Sequence, residues 1–203
     1  MTTTFTIFTI LLSYLLGSIP FGYLLTKHFL KINILEKGSG NIGSTNVKRV
    51  AGRKISIYSQ LLDMAKGGII VAIVLIFQKY NKTFTIPEYL IYAVAIASIV
   101  GHNFSIFLKF RGGKGVNTTL GASILIAPIL VLISVVFYFL IKWITKYVSM
   151  GSLAIAFTLP IISYIQSGIN NAFYYFLICS LMIIIQHLPN IKRLISGTEL
   201  KAN

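Results

Sequence analysis

The sequence is built from apolar runs of membrane-crossing length, separated by polar segments rich in glycine, asparagine and basic residues. A span of bilayer hydrocarbon takes about 20 apolar residues in a helix. Runs at 5–25, 55–77, 89–108, 116–141, 148–165 and 172–186 have that character or approach it. The backbone between them is too irregular to lie in lipid, where its polar groups would go unsatisfied. The polar segments must sit at a membrane surface or inside a protein-lined cavity. The prediction is an all-α polytopic membrane protein, read as one domain over 1–203.

Composition removes the soluble alternatives. The chain is 56% hydrophobic and only 11% charged, yet carries a net charge of +14 from 18 Lys+Arg against 4 Asp+Glu. Such an excess suits nucleic acid, anionic lipid or an anionic substrate. Nucleic acid is not expected as a partner, because apolar spans interrupt the basic residues and no binding motif appears. Part of the excess is topological, since cytoplasmic loops collect Lys and Arg. Cys179 is the only cysteine and lies in an apolar run, so no disulfide can form within one chain and an inert buried thiol is expected. No metal site is expected, and no cofactor.

Charge also sets a topology. Residues 1–26 carry no charge and the first basic residue is Lys27, so there is no basic leader of a signal peptide. This predicts a retained first span with the N-terminus outside. Gly17, Ser18, Pro20 and Gly22 near its inner end permit close helix contact or a kink. If 116–141 crosses once, the tail with Lys192 and Arg193 falls on the wrong face. A turn at Ala127-Pro128 removes the conflict, making 116–126 a short span and 129–144 the return. Seven spans result, with the C-terminus in the cytoplasm and only Lys79 and Lys82 of the 18 basic residues outside. The short span would cover only ~17 Å at 1.5 Å per residue. A five-span arrangement with one long crossing at 116–141 is the alternative.

Three polar segments then share one face: GSGNIGSTNVKRVAG (38–52), GHNFSIFLKFRGGKG (101–115) and HLPNIKRLISGTEL (187–200). The first contains G-x-G-x-x-G, but no strand or βαβ unit surrounds it, so a dinucleotide fold does not follow. It reads as a turn exposing N–H groups before a helix that starts near Ser44-Thr45-Asn46, a setting that attracts anions. Arg49 can grip phosphate bidentately. An interfacial loop with snorkelling basic residues is the plainer reading. Arg111-Gly-Gly-Lys-Gly115 is only part of a Walker loop, with no Ser/Thr after Lys114. Its glycines still suit close backbone approach to a phosphate that Lys114 neutralises. Asp63 and Lys66, three apart, share a helix face and can pair. The three histidines lack metal-ligand spacing, and Asp63 is the only aspartate a catalytic triad could use.

Together the three segments resemble the membrane acyl-phosphate:glycerol-3-phosphate acyltransferases of bacteria, in order, at family spacing and over essentially the whole chain. DMAKGG fits the family's Asp-x-x-Lys-Gly, and YVSMGS also resembles a family segment. Ser44, Ser105 and Asn117 depart from the usual alanine, proline and alanine. The alternative His-x4-Asp signature of other glycerolipid acyltransferases is absent: Asn33, Phe107 and Lys192 stand five residues after the three histidines.

The resemblance implies a fold of seven transmembrane helices in the bacterial cytoplasmic membrane, with the catalytic pocket facing the cytoplasm. It implies transfer of an acyl chain from acyl phosphate to the 1-hydroxyl of glycerol 3-phosphate, giving lysophosphatidic acid and phosphate. Two phosphate-bearing substrates account for two basic glycine-rich segments, and a soluble enzyme producing acyl phosphate is a candidate partner. The donor is a mixed anhydride with a good leaving group, so alignment and charge stabilisation suffice without a covalent nucleophile. Ser39, Arg49, Lys114, His187 and Asn190 are the expected catalytic residues. Asn41, Thr45, Asn46, Lys66, His102, Gly112, Gly113, Gly115 and Ser152 are expected around the substrates. Thr45, Asn46, Arg49 and Lys114 would hold phosphate; Ser39, Ser152, His187 and Asn190 would orient glycerol 3-phosphate or the reacting groups. His187 is either a general base or a positioning residue, and Glu199 a structural one. The rival reading is a non-enzymatic carrier or channel for organic phosphates.

Overall fold

A computed structural model describes residues 2–81 and 86–202. Lys82, expected outside the membrane with Lys79, lies outside the described residues. Every regular element among the described residues is helical. The chain divides between Leu125 and Ile126 into two compact units.

The first unit opens with α1 (Thr2–Ser18) and α2 (Phe21–Leu30), separated at Ile19-Pro20. The break falls where proline removes a backbone donor and crowds the preceding turn. Ser105 donates to the carbonyl of Ser18 at 2.5 Å, so part of the backbone loosened by the break regains a partner. A 3₁₀ turn at Ile34–Glu36 leads to α3 (Ser44–Tyr80), which is kinked at Gly52. There φ is +82° and ψ 175°, a conformation that L side chains rarely adopt. The kink turns the 44–51 segment out of the long helix, and Ser56 donates to the carbonyl of Ser44 across it at 2.7 Å. Then come α4 (Tyr89–Asn103), a 3₁₀ turn at Ile106–Leu108, and α5 (Val116–Ile126).

Small residues let these helices approach backbone to backbone, the usual device where lipid offers no hydrophobic drive between helices. A Cβ on Gly17 would lie 2.2 Å from the Ser98 carbonyl oxygen of α4, and one on Gly101 2.3 Å from that of Tyr14 in α1. Between α3 and α5, a Cβ on Gly121 would lie 2.0 Å from the Met64 oxygen. Buried serine and threonine (Ser13, Ser59, Ser98, Thr118, Thr119) occupy interior positions, whereas many large apolar side chains face outward. That inversion suits a hydrocarbon surround.

The second unit holds α6 (Pro128–Thr145), α7 (Val148–Ser167), α8 (Asn171–Gln186) and α9 (Leu188–Ile195). Pro128 starts α6, a position where a missing N–H costs nothing. Ala127, at φ −147° and ψ 72°, ends any continuity with α5. The single helix over 116–141 considered above is therefore corrected: the chain forms α5 and α6 instead. Helix α9 bends away from α8 by 54° beside Pro189.

Among the described residues, five helical stretches are long and apolar enough to cross a membrane, or six if α8 and α9 form one broken span. They include Thr3–Leu30, Tyr89–Leu108 and Val148–Ser167, close to the runs read from the sequence. Helix α5, with 11 residues, is shorter than any of these five stretches.

Candidate active site

In the first unit, the loop before α3 is pinned from beneath. Ile34, Ile42 and Val47 are wholly buried, packed with Tyr23, Leu35, Ala51, Ile55 and Leu108. From above, Asn46 gathers the loop. Its Oδ1 accepts from the Ser39 N–H at 2.9 Å, and its Nδ2 donates to the carbonyls of Lys37 at 3.0 Å and Asn41 at 2.8 Å. Both amide hydrogens are thus used in shaping the loop. Helix α3 starts at Ser44, as expected, with Thr45 on its first turn and Arg49 on its second. Ser39 and Arg49 are exposed, and Thr45 is half-buried.

The second loop is moulded on the end of α4. A Cβ on Gly112 would meet the carbonyl oxygens of His102 and Asn103 at 2.2 and 2.4 Å. On Gly113 it would lie 2.0 Å from His102 Nε2, and on Gly115 2.8 Å from Asn103 Oδ1. The Gly113 N–H donates to the His102 carbonyl at 3.0 Å. Lys114, half-buried, projects from the middle of this tight wrap. Asn41 Nδ2 donates to the Gly112 carbonyl at 3.3 Å, and Asn117 Nδ2 to Ser44 Oγ at 3.1 Å. The two glycine-rich loops are therefore one assembly.

Beneath the second loop lies an ionic cluster. Lys66 Nζ is 2.9 Å from Asp63 Oδ1 and donates to the Ile19 carbonyl at 2.9 Å, while His102 Nδ1 is 3.5 Å from the same Asp63 oxygen. The side chains of Asp63, Lys66 and His102 are 2%, 3% and 4% exposed. Lys66 and His102, expected around the substrates, are buried in this cluster. Spacing showed the Asp63–Lys66 pair; nothing in the linear pattern showed that His102 joins it.

In the second unit, Glu199 is the hub. Its Oε1 accepts from Asn190 Nδ2 at 2.6 Å and Ser149 Oγ at 2.9 Å, and its Oε2 accepts from Arg193 Nε at 2.7 Å. Burial alone would raise its pKa, but the hydrogen bonds from Asn190, Arg193 and Ser149, with the Arg193 charge, hold the carboxyl below its ordinary value. His187 is buried at the α8–α9 bend, with Nδ1 2.8 Å from the Ile183 carbonyl. A carbonyl only accepts, so Nδ1 carries a proton in this contact. Ser152 is buried, its hydroxyl turned back to the Val148 carbonyl at 3.1 Å. Ser149 was missed as a partner of the third segment; its place in YVSMGS was the only signal.

The three departures from the resembled pattern are also accounted for. Ser44, Ser105 and Asn117 each make a tertiary hydrogen bond, to Asn117, Ser18 and Ser44 respectively.

These features define a multi-pass α-helical membrane protein with a basic, glycine-shaped loop assembly. The sequence profile of the glycerol-3-phosphate acyltransferase family matches residues 7–197. A glycerol-3-phosphate acyltransferase of Clostridium acetobutylicum is 45% identical over 195 residues, covering 95% of this chain and 98% of that one. A glycerol-3-phosphate acyltransferase 2 of Thermotoga maritima is 37% identical, with 95% and 94% covered. The crystal structure of PlsY, an integral membrane glycerol 3-phosphate acyltransferase, in its glycerol 3-phosphate form superposes with a TM-score of 0.88 at 32% identity, covering 98% of this chain and 96% of that one. Its lysophosphatidic acid form gives 0.84 at 33%, covering 97% and 94%. The chain belongs to the glycerol-3-phosphate acyltransferase family.

Proposed function

We propose that this protein transfers an acyl chain from acyl phosphate to the 1-hydroxyl of glycerol 3-phosphate. The observation that carries the reading is the joining of the two glycine-rich loops through Asn41–Gly112 and Asn117–Ser44, which makes Ser39, Thr45, Arg49 and Lys114 parts of one basic assembly. Two phosphate-bearing substrates need such an assembly, and an acyl chain needs the lipid-facing helices around it. The relatives named for glycerol 3-phosphate acylation, and the solved structure described in its glycerol 3-phosphate form, support the same acceptor.

In the step, the acceptor hydroxyl oxygen attacks the acyl carbonyl carbon. The bond from that carbon to the phosphate oxygen breaks, and inorganic phosphate leaves with the bonding pair. The hydroxyl proton passes to a substrate phosphate or to Nε2 of His187. Arg49, Thr45 and Lys114 hold the phosphates, Ser39 and Ser152 orient the acceptor, and Asn190, fixed by Glu199, lies three residues after His187 and shares its role. Alignment of an activated anhydride supplies much of the rate, so no acyl-enzyme is required.

Both units serve this one activity; the family profile runs through both. We place the protein in the bacterial cytoplasmic membrane, with seven crossings counting α5, the N-terminus outside and the site facing the cytoplasm. A soluble enzyme that makes acyl phosphate is the natural supplier of the donor.

The test uses protein purified in detergent, with acyl phosphate and glycerol 3-phosphate. Lysophosphatidic acid and inorganic phosphate should appear one to one, with no turnover when acyl-CoA or an acyl carrier protein thioester replaces the donor. A protein that turns over only the thioesters refutes the donor assignment. One that forms no product in detergent but moves organic phosphate across sealed vesicles is the carrier instead.

A further inference from the structure

We infer that Asp63 is a positioning residue for the phosphate-binding loop, acting through the ring of His102 on Gly113 and Lys114. The path is continuous from Asp63 to Lys114. Asp63 Oδ1 lies 3.5 Å from His102 Nδ1 on one edge of the ring. The opposite edge, at Nε2, lies so close to Gly113 that a Cβ there would sit 2.0 Å away. Gly113 is tied to the same residue by its N–H, 3.0 Å from the His102 carbonyl, and Lys114 is the next residue. A small rotation of the imidazole therefore moves the loop backbone, because no side chain intervenes to absorb it.

Asp63 is held in turn. Lys66 pairs with the same carboxylate oxygen at 2.9 Å and anchors to the Ile19 carbonyl at the α1–α2 break. Its ammonium also stands 5.7 Å from the Phe21 ring centroid. Helices α3 and α4 thus meet at one carboxylate, and Lys66 ties it to the α1–α2 break and to α2. At 2–4% side-chain exposure none of the three groups meets a substrate in bulk solvent. A buried ion pair contributes little net stability against an apolar replacement, whereas it can fix one arrangement among several. The arrangement fixed here is the ring orientation against Gly113. Asp63 is the only aspartate in the chain, and His102 links it to the loop assembly.

The inference rests on the acyl-phosphate reading, so wild-type turnover of acyl phosphate with glycerol 3-phosphate is measured first; its absence refutes that reading and not this one. With turnover established, KM for each substrate and kcat are compared in Lys114→Ala, Asp63→Asn, Gly113→Ala and Asp63→Asn/Gly113→Ala. Asp63→Asn is expected to raise, about tenfold or more, the same substrate's KM that Lys114→Ala raises, leaving the other within threefold. The double variant should be no worse than Gly113→Ala alone, because both changes act on one contact. Asp63→Glu keeps the charge and should recover part of the KM; if Asp63→Asn does not purify folded, Asp63→Glu and His102→Gln carry the same KM comparison. An unchanged KM with only a smaller active fraction, or additive losses in the double variant, overturns the proposal and leaves Asp63 a purely structural ion-pair partner.

Discussion

Asn117 Nδ2 donates to Ser44 Oγ across 73 residues of sequence at 3.1 Å. Ser44 opens α3 and Asn117 lies in the first turn of α5, so the bond joins two helix N-termini at the rim of the loop assembly. A neutral, part-buried hydrogen bond contributes about 0.5–1.5 kcal/mol. Ser44→Ala and Asn117→Ala are each expected to raise substrate KM by about two- to tenfold. The double variant should match the single ones, and a double-mutant cycle with fully additive losses would show the contact to be inert.

Gly113→Ala should cost more than either. A methyl group placed 2.0 Å from His102 Nε2 must displace the ring or the loop. A fall of about 100-fold in kcat/KM is expected, with the melting temperature lowered far less than activity. Near-normal kcat/KM would show that the loop reshapes freely.

Glu199 predicts a pH dependence of stability. Its folded-state pKa is lowered from 4.5, so its contribution is complete above that value and lost as pH falls through the lower folded-state value. The detergent-solubilised melting temperature should therefore drop on acidification below about 4.5. Glu199→Gln should flatten that part of the profile and lower the plateau. Parallel curves for the two proteins would remove Glu199 from the acid response.

Gly121→Val tests helix approach. The added side chain would enter where Cβ alone meets the Met64 oxygen at 2.0 Å, forcing α3 and α5 apart. Loss of folded protein, or a melting temperature lower by about 10 °C or more, is expected; wild-type melting would mean the helices have room to spare.

His187 separates two roles. If it takes the hydroxyl proton at Nε2, His187→Ala lowers kcat by about 100-fold with little change in KM. If it only positions substrate, KM rises and kcat is kept.

The spans were legible because a bilayer needs a run of fixed length, and runs such as 89–108 stand out in any window. The helix break at Ala127-Pro128 was legible because proline at a helix start has a local cause. The three polar segments and their basic residues were visible for the same reason: they are short, contiguous and costly in lipid. The sequence alone determined these. What only the tertiary structure decided is which polar atoms meet. No local pattern showed that Asn46 makes three hydrogen bonds within its loop. Nor did any show that Lys66 and His102 lie buried around Asp63. The Asn46 bonds are short-range but depend on how the loop folds back, whereas His102–Asp63 and Lys66–Ile19 join residues tens of positions apart, brought together where glycines let the α1–α4 and α3–α5 backbones approach, a property of packing that no local pattern encodes.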